Sequence, residues 1–167
     1  ECDDFSFDES VLRQYLGGTG LGSKILYEKV SPEHDWTHPD NRFIVASGPL
    51  GGTSIGGSGT ISVITKGALT NGATATQANG FFGAFLKFSG YDGIIVQGTA
   101  HRWMYLHIDN GHAELRDASH LLRKDTYETT DLIKAALRKK DLQMSVLSIG
   151  PAGEKLGNRR SLCPGQL

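Results

Sequence analysis

Two histidines lie at a spacing that is typical of metal sites. His34 and His38 stand four residues apart, which would place both imidazoles on one face of a helix. The zinc-protease pattern requires a glutamate after the first histidine and a sustained helix, whereas Asp35 follows His34 and Pro39 would end a helix at once. Because no cysteine or third ligand is identified nearby, the sequence favours exposed loop histidines over a metal site.

A serine lies in a pattern that is found in hydrolases. Ser54 is the centre of a Gly-x-Ser-x-Gly string between Gly52 and Gly56. A nucleophile elbow directly follows a strand and opens a helix. Here the preceding apolar run ends near Ser47, and more glycine follows the string. We interpret the match as a by-product of glycine density, and the sequence predicts no catalytic residue and no metal ligand.

Glycine is the most distinctive feature of the chain. There are 22 glycines among 167 residues, and six of the thirteen residues from Gly48 to Thr60 are glycine. Glycine allows positive φ and close approach of a ligand, and such loops can present N–H groups to phosphate. Tight turns between strands would give the same composition. Gly56–Gly59 lacks the Gly-Lys-Thr of a P-loop, so this specific phosphate-binding motif is absent from the sequence there. The residues leave open whether the loop binds an anion or only forms tight turns.

Hydrophobic periodicity predicts the elements that must position this loop. Predicted helices start after Asp8 and run over Thr19–Val30, from Asn79 to Gly90 and from Asp125 to about Lys139. Predicted strands cover Arg42–Ser47, Thr60–Lys66, Gly93–Gly98, Trp103–Asp109, His112–Asp117 and Leu142–Ile149, with 73–78 extended or irregular. The order indicates an α+β fold with mixed β-sheets and short helices.

Two strand–corner segments resemble each other. Phe43 to Gly52 reads FIVASGPLGG and Ser145 to Glu154 reads SVLSIGPAGE. Both place Gly-Pro, an apolar residue and Gly after a predicted strand. A duplicated strand-rich unit and a chance match both explain this.

Composition restricts the partners. The formal net charge of −1 gives no field that would attract nucleic acid or an anionic membrane. No apolar run approaches the ~18 residues of a membrane span. Cys2 and Cys163 form neither a disulfide framework nor a metal motif. Without an export signal in the acidic opening residues, we expect a cytoplasmic protein.

Six blocks of the chain, in order, resemble the N-terminal domain of the aldehyde ferredoxin oxidoreductase family. They are YLGGTGLGSKILYEKV, ASGPLGGTS, VITKGALT, FFGAFLKFSGYDGIIVQG, LRDASHLLRKDTYETTDLI and SIGPAGEKL. The resemblance runs from about Asp8 to Leu156, and the tail at 157–167 is unlike the family. The family's opening strands also have no counterpart. We therefore predict one domain, 1–167, that is a truncated or frameshifted fragment.

The resemblance implies a tungsten or molybdenum bis-pterin cofactor and a [4Fe–4S] cluster. The family oxidises aldehydes to carboxylic acids and passes electrons to ferredoxin, and its members often form homodimers. Its N-terminal domain is an α+β cofactor platform with a duplicated sheet unit. The cluster ligands belong to later helical domains, so the isolated chain is expected to be inactive. Alternatives are a stand-alone pterin-binding or interaction module, a subunit of the aromatic-CoA reductase type, and a non-functional remnant.

The resemblance also implies where the pterin would bind. The corresponding cofactor-binding positions are Gly59, Thr60, Gln77, Ala78, Asn79 and Gly80. Well-known members have an arginine where Thr60 stands, and Asn-Ser-Gly-Gly where this chain has Gln-Ala-Asn-Gly. An arginine can fork onto a phosphate or pterin oxygen, and Thr60 cannot.

Overall fold

The computed structural model describes residues 2–154 as five helices and six strands. The helices are α1 Glu9–Tyr15, α2 Gly18–Lys29, α3 Phe82–Phe88, α4 Thr126–Leu137 and α5 Pro151–Glu154. The strands are β1 Arg42–Ser47, β2 Ile61–Lys66, β3 Ala73–Ala78, β4 Gly93–Gln97, β5 Met104–Asp109 and β6 His112–Asp117. The α+β class predicted from the sequence is confirmed. None of these described helices combines the length and apolarity needed to cross a membrane.

The strands form a four-stranded sheet in the order β3-β2-β1-β4 and a separate β5-β6 hairpin. Every strand pair in residues 2–154 is antiparallel, so the prediction of mixed sheets was wrong. Parallel neighbours need a long crossover connection, whereas residues 67–72 and the Asn110-Gly111 turn join their strands directly.

Helix α2 covers one face of the four-stranded sheet. Its apolar stripe packs against two sheet residues in a buried cluster of Leu21, Ile25, Leu26, Val30, Ile44 and Ile64. The contact is close, since a Cβ on Gly22 would lie 2.4 Å from Cδ1 of Ile64. The opposite face buries Phe43, Val45 and Ile61, with Phe82 of α3 against them.

The predicted strand Leu142–Ile149 was wrong. Asp141–Gln143 forms a 3-10 turn, and residues 144–150 have no strand partner within the described part of the chain. The segment still alternates, because Val146 packs against a buried cluster of Ala118, Leu121 and Ile133, while Leu147 packs against the four-stranded sheet. The alternation of its side chains is typical of a strand, but no neighbouring strand pairs with it in the described residues.

The two strand–corner segments share one local feature. The amide of Gly51 donates to the Gly48 carbonyl at 3.0 Å, and the amide of Gly153 donates to the Gly150 carbonyl at 2.9 Å. The corners therefore match, while the described sheets differ, with four strands in one and two in the other.

Two buried polar side chains, Asn41 and Lys66, tie the loop before β1 to the sheet; we call this pair the polar anchor. Asn41 is 0% exposed and its Nδ2 donates to the Trp36 carbonyl at 2.8 Å. Its Oδ1 accepts from the Arg42 amide at 2.8 Å. The ammonium group of Lys66 donates to the carbonyls of Ser31, Pro32 and His34.

The Asn41→Ala substitution should lower the free energy of unfolding by about 2 kcal/mol, since the partly buried Trp36 carbonyl and Arg42 amide each lose a hydrogen-bond partner. Urea unfolding followed by circular dichroism measures the change. Gln14→Ala, on the exposed side of α1, is the matched control and should stay within about 0.5 kcal/mol of the parent. Equal effects of the two substitutions would contradict the role given to Asn41.

The β5-β6 hairpin carries a pH-dependent ion pair. Arg116 Nε lies 2.9 Å from Glu114 Oε1, and this hydrogen bond lowers the pKa of the Glu114 carboxyl. A lowered folded-state pKa stabilises the fold above the unfolded-state pKa, and the contribution disappears as pH falls through the folded-state value. Glu114→Gln should therefore flatten the loss of stability as the pH falls below about 5. Urea midpoints across this range test it, and unchanged slopes would count against the pair.

Candidate functional site

The two segments predicted to bind the cofactor meet at one end of the four-stranded sheet. Ser62 pairs with Gln77 and Ile61 pairs with Ala78 in the β2-β3 ladder. Just beyond the last pair, Thr60 Oγ1 lies 2.7 Å from Asn79 Oδ1. It also lies 2.9 Å from the Gly57 carbonyl oxygen, so the hydroxyl links β3 to the glycine-rich loop.

Glycine at two positions allows main chain to pack directly on main chain. A Cβ on Gly59 would lie 1.7 Å from the Gly80 carbonyl oxygen. A Cβ on Gly83 would lie 2.8 Å from the carbonyl oxygens of both Gly59 and Thr60. The Gly83 amide donates to the Gly59 carbonyl at 3.1 Å. The end of the loop is therefore packed onto the start of α3. This close packing explains why glycine is needed at both positions.

Other glycines of the same region face open space. A Cβ on Gly48, Gly56, Gly57 or Gly80 would have no atom within 4 Å. Gly57 and Gly80 also have φ of +84° and +152°, a region that favours glycine. Packing does not explain these positions, so they leave bare main chain accessible to a ligand.

Strand β3 forms an exposed surface of small residues beside this main chain. All six residues, Ala73 to Ala78, are exposed, and β3 is an edge strand of its sheet. Alanine and threonine give a low surface that a planar ring can approach, while Gln77 and Asn79 provide amide donors and acceptors. The surface is therefore low and exposed, with amide groups at one end.

The six candidate residues do not include an ionisable side chain. They can bind and orient a ligand through a hydroxyl, two amides and main-chain groups, and they cannot transfer protons near neutral pH. A cation beside the loop is Lys87, whose Cγ would lie 3.0 Å from a Cβ on Gly51, but its ammonium pairs with Asp92. The six candidate residues therefore provide no acid–base machinery.

A second group of polar residues lies in the loop at 31–41. His34, His38 and Asp40 place possible ligand atoms within 4.8 Å of one another. The loop is not helical, and the two imidazoles stack with ring centroids 3.6 Å apart. The expectation that no third ligand is close was wrong, because a turn folds Asp40 back onto both histidines.

The comparison with known families decides the identity of the domain. Residues 1–162 match the family model described as aldehyde ferredoxin oxidoreductase, N-terminal domain. The chain belongs to this family. The resemblance seen in the six sequence blocks is confirmed.

Relatives of the family are much longer than this chain. It is 41% identical over 150 residues to a tungsten-containing aldehyde ferredoxin oxidoreductase of Pyrococcus furiosus. This match covers 90% of the chain and 24% of the relative. The Thermococcus kodakarensis protein of the same name is 39% identical, with the same coverage. An aliphatic sulfonate oxidoreductase, WOR-like subunit, of Pyrococcus furiosus is 34% identical over 70% of the chain and 19% of the relative. The chain spans about a quarter of the length of the first two.

A solved structure has the same fold. The active site complex BamBC of benzoyl coenzyme A reductase, in complex with 1,5-dienoyl-CoA, superposes with a TM-score of 0.86 at 38% identity. The match covers 90% of this chain and 23% of that chain.

The Gly59→Ala substitution should destabilise the domain by about 3 kcal/mol, because the new methyl group meets a main-chain carbonyl that cannot rotate away. Gly56→Ala is the matched control, since its methyl group enters open space at an ordinary φ. Urea unfolding compares the two variants. Similar stabilities would show that the Gly59–Gly80 contact does not hold the loop.

Proposed function

We propose that this domain is the pterin-binding platform of an oxidoreductase in the aldehyde ferredoxin oxidoreductase family. The juxtaposition of Gly59-Thr60 with Gln77–Gly80 carries the proposal, because it joins accessible main chain, a hydroxyl and two amides on one small-residue surface. The two-electron redox chemistry would come from a tungsten or molybdenum bis-pterin cofactor.

The residues of this chain would bind and orient one edge of that cofactor. Thr60, Gln77 and Asn79 would offer hydrogen bonds to the edge of a pterin ring, and Gly57 and Gly80 would allow close approach of its phosphate group. The Thr60–Asn79 hydrogen bond fixes both side chains before a ligand arrives, which lowers the entropic cost of binding. Phosphate charge would be met by main-chain N–H groups instead of an arginine.

The full activity would need the rest of a longer protein. We infer that the substrate is an aldehyde, that ferredoxin accepts the electrons, and that the [4Fe–4S] cluster and the substrate channel lie in helical domains outside this chain. Exposed apolar residues beside the glycine-rich loop, namely Leu50, Ile55, Phe81 and Phe88, support a packing surface for those domains. A cytoplasmic location and a homodimer complete the proposal.

A reductase of the aromatic-CoA type is the second candidate. The similarity to the benzoyl coenzyme A reductase complex favours it, because the fold match is close at 38% identity. The two candidates share the pterin platform and differ in substrate. Assays of the native polypeptide with an aldehyde and with an aromatic-CoA thioester distinguish them.

The native polypeptide should contain tungsten or molybdenum together with pterin, measured by elemental mass spectrometry and by fluorescence of the oxidised pterin. Thr60→Val should lower pterin content several-fold, because it removes the hydroxyl that positions Asn79. Thr130→Val, which removes a hydroxyl on α4, is the matched control and should retain full content.

Undiminished pterin in Thr60→Val would remove Thr60 from the binding surface. Mass spectrometry of peptides beyond Leu156 should also find a cysteine-bearing region on the same polypeptide. A native chain that lacks this region and yet binds pterin would favour a stand-alone pterin-binding module.

A further inference from the structure

We propose that His34, His38 and Asp40 form a binding site for one borderline divalent metal ion such as Zn²⁺. His34 Nδ1 lies 4.0 Å and His38 Nδ1 lies 3.7 Å from Asp40 Oδ2. Two imidazoles with one carboxylate are ligands that Zn²⁺ accepts, whereas Mg²⁺ prefers oxygen alone. Three protein ligands leave a fourth coordination position for water.

Two of the three separations between ligand atoms are close to what the metal requires. Zinc bonds of about 2.0–2.2 Å at tetrahedral angles place neighbouring ligand atoms about 3.3 Å apart. The observed separations from Asp40 Oδ2 exceed this by less than about 1 Å. The two rings stack with 13° between their planes, and rotation about χ2, which is a soft torsion, can turn both lone pairs toward one ion.

One imidazole nitrogen of these three residues is buried without a hydrogen bond. His34 Nδ1 is buried and has no hydrogen-bond partner in the described part of the chain. Buried polar atoms without partners are rare because each one costs free energy. A metal bond would satisfy this atom. His38 Nδ1 accepts the Asp40 amide at 3.1 Å, which keeps Asp40 folded over the histidine and would be exchanged for a metal bond.

The loop that carries these ligands is held in place by other contacts. The His34 carbonyl accepts from Lys66 of the polar anchor and from Asn71 Nδ2. Asp35 Oδ1 accepts from the amide and the hydroxyl of Thr37, at 2.8 and 2.6 Å. The backbone of the ligand residues is therefore ordered before a metal arrives, which reduces the cost of binding.

The metal site is distinct from the pterin surface. The loop contacts the Lys66 end of β2, whereas Thr60 precedes the other end. The strand's length places the two sites about 20 Å apart. The proposal therefore goes beyond the platform function and does not depend on it.

Isothermal titration of the chain with ZnCl₂, with bound metal counted by elemental mass spectrometry, tests the site. We expect one Zn²⁺ per chain, no competition from excess MgCl₂, and affinity at least about tenfold lower in His34→Gln, His38→Gln and Asp40→Asn. His112→Gln, on the exposed face of the hairpin, is the matched control and should bind like the parent. Circular dichroism confirms that each variant is folded.

Absence of zinc binding by the folded parent chain would overturn the proposal. Equal affinity in His34→Gln and the parent would overturn it as well. CoCl₂ gives a readout that needs no variant, because visible d–d bands of a four-coordinate ion should appear with one equivalent. A spectrum that remains that of the hexa-aqua ion would exclude the site.

Discussion

Three backbone carbonyls surround the ammonium group of Lys66, and the arrangement of the sheet depends on this buried contact. The charge is compensated by dipoles of the loop that leads from α2 into β1. Beside it, the Asn41 amide joins the same loop to β1. Together they fix where α2 leaves the sheet, so the apolar face of the helix falls on Ile44 and Ile64. Polar and hydrophobic contacts thus hold the same part of the chain against the sheet.

The opposite end of the sheet is held by a different means. There the main chain at Gly59 touches the main chain at Gly80 and Gly83, and a side chain on Gly59 would collide with a carbonyl. This packing leaves neighbouring glycines open and puts Thr60 within hydrogen-bond distance of Asn79. The proposed pterin surface is therefore a consequence of how closely two loops can approach, rather than of any reactive side chain.

Sequence patterns predicted most of the fold because the elements carry strong local signals. The Asn110-Gly111 turn joins the two strands of the hairpin, and the helix predicted from Asp125 begins with a capping box between Asp125 and Glu128. Predictions failed where the outcome depends on a partner. The segment at 144–150 has the alternation of a strand but no neighbour in the described chain, and the mixed sheets proved antiparallel. Asp40 was missed because turn geometry, not helical periodicity, brings it to the histidines.

Family resemblance supplied what local patterns could not. The glycine-rich loop alone was compatible with turns or with a phosphate site. In the structure, some of its glycines allow close packing of the main chain, and others leave the main chain exposed. The juxtaposition of Thr60 and Asn79 across two segments could be anticipated only from aligned blocks. Asn41 and Lys66 gave no signal, since a buried polar side chain looks like any polar residue in a sequence.

The exposed edge of β3 has a practical consequence for anyone who handles this domain by itself. Among residues 2–154, β3 has no neighbour on its outer side, and such an edge presents amides and carbonyls that a strand from another molecule can pair with. Its alanines and threonines include no charge that would repel such a partner. Concentrated preparations should therefore self-associate through this edge, and a lysine at Thr76 would discourage it.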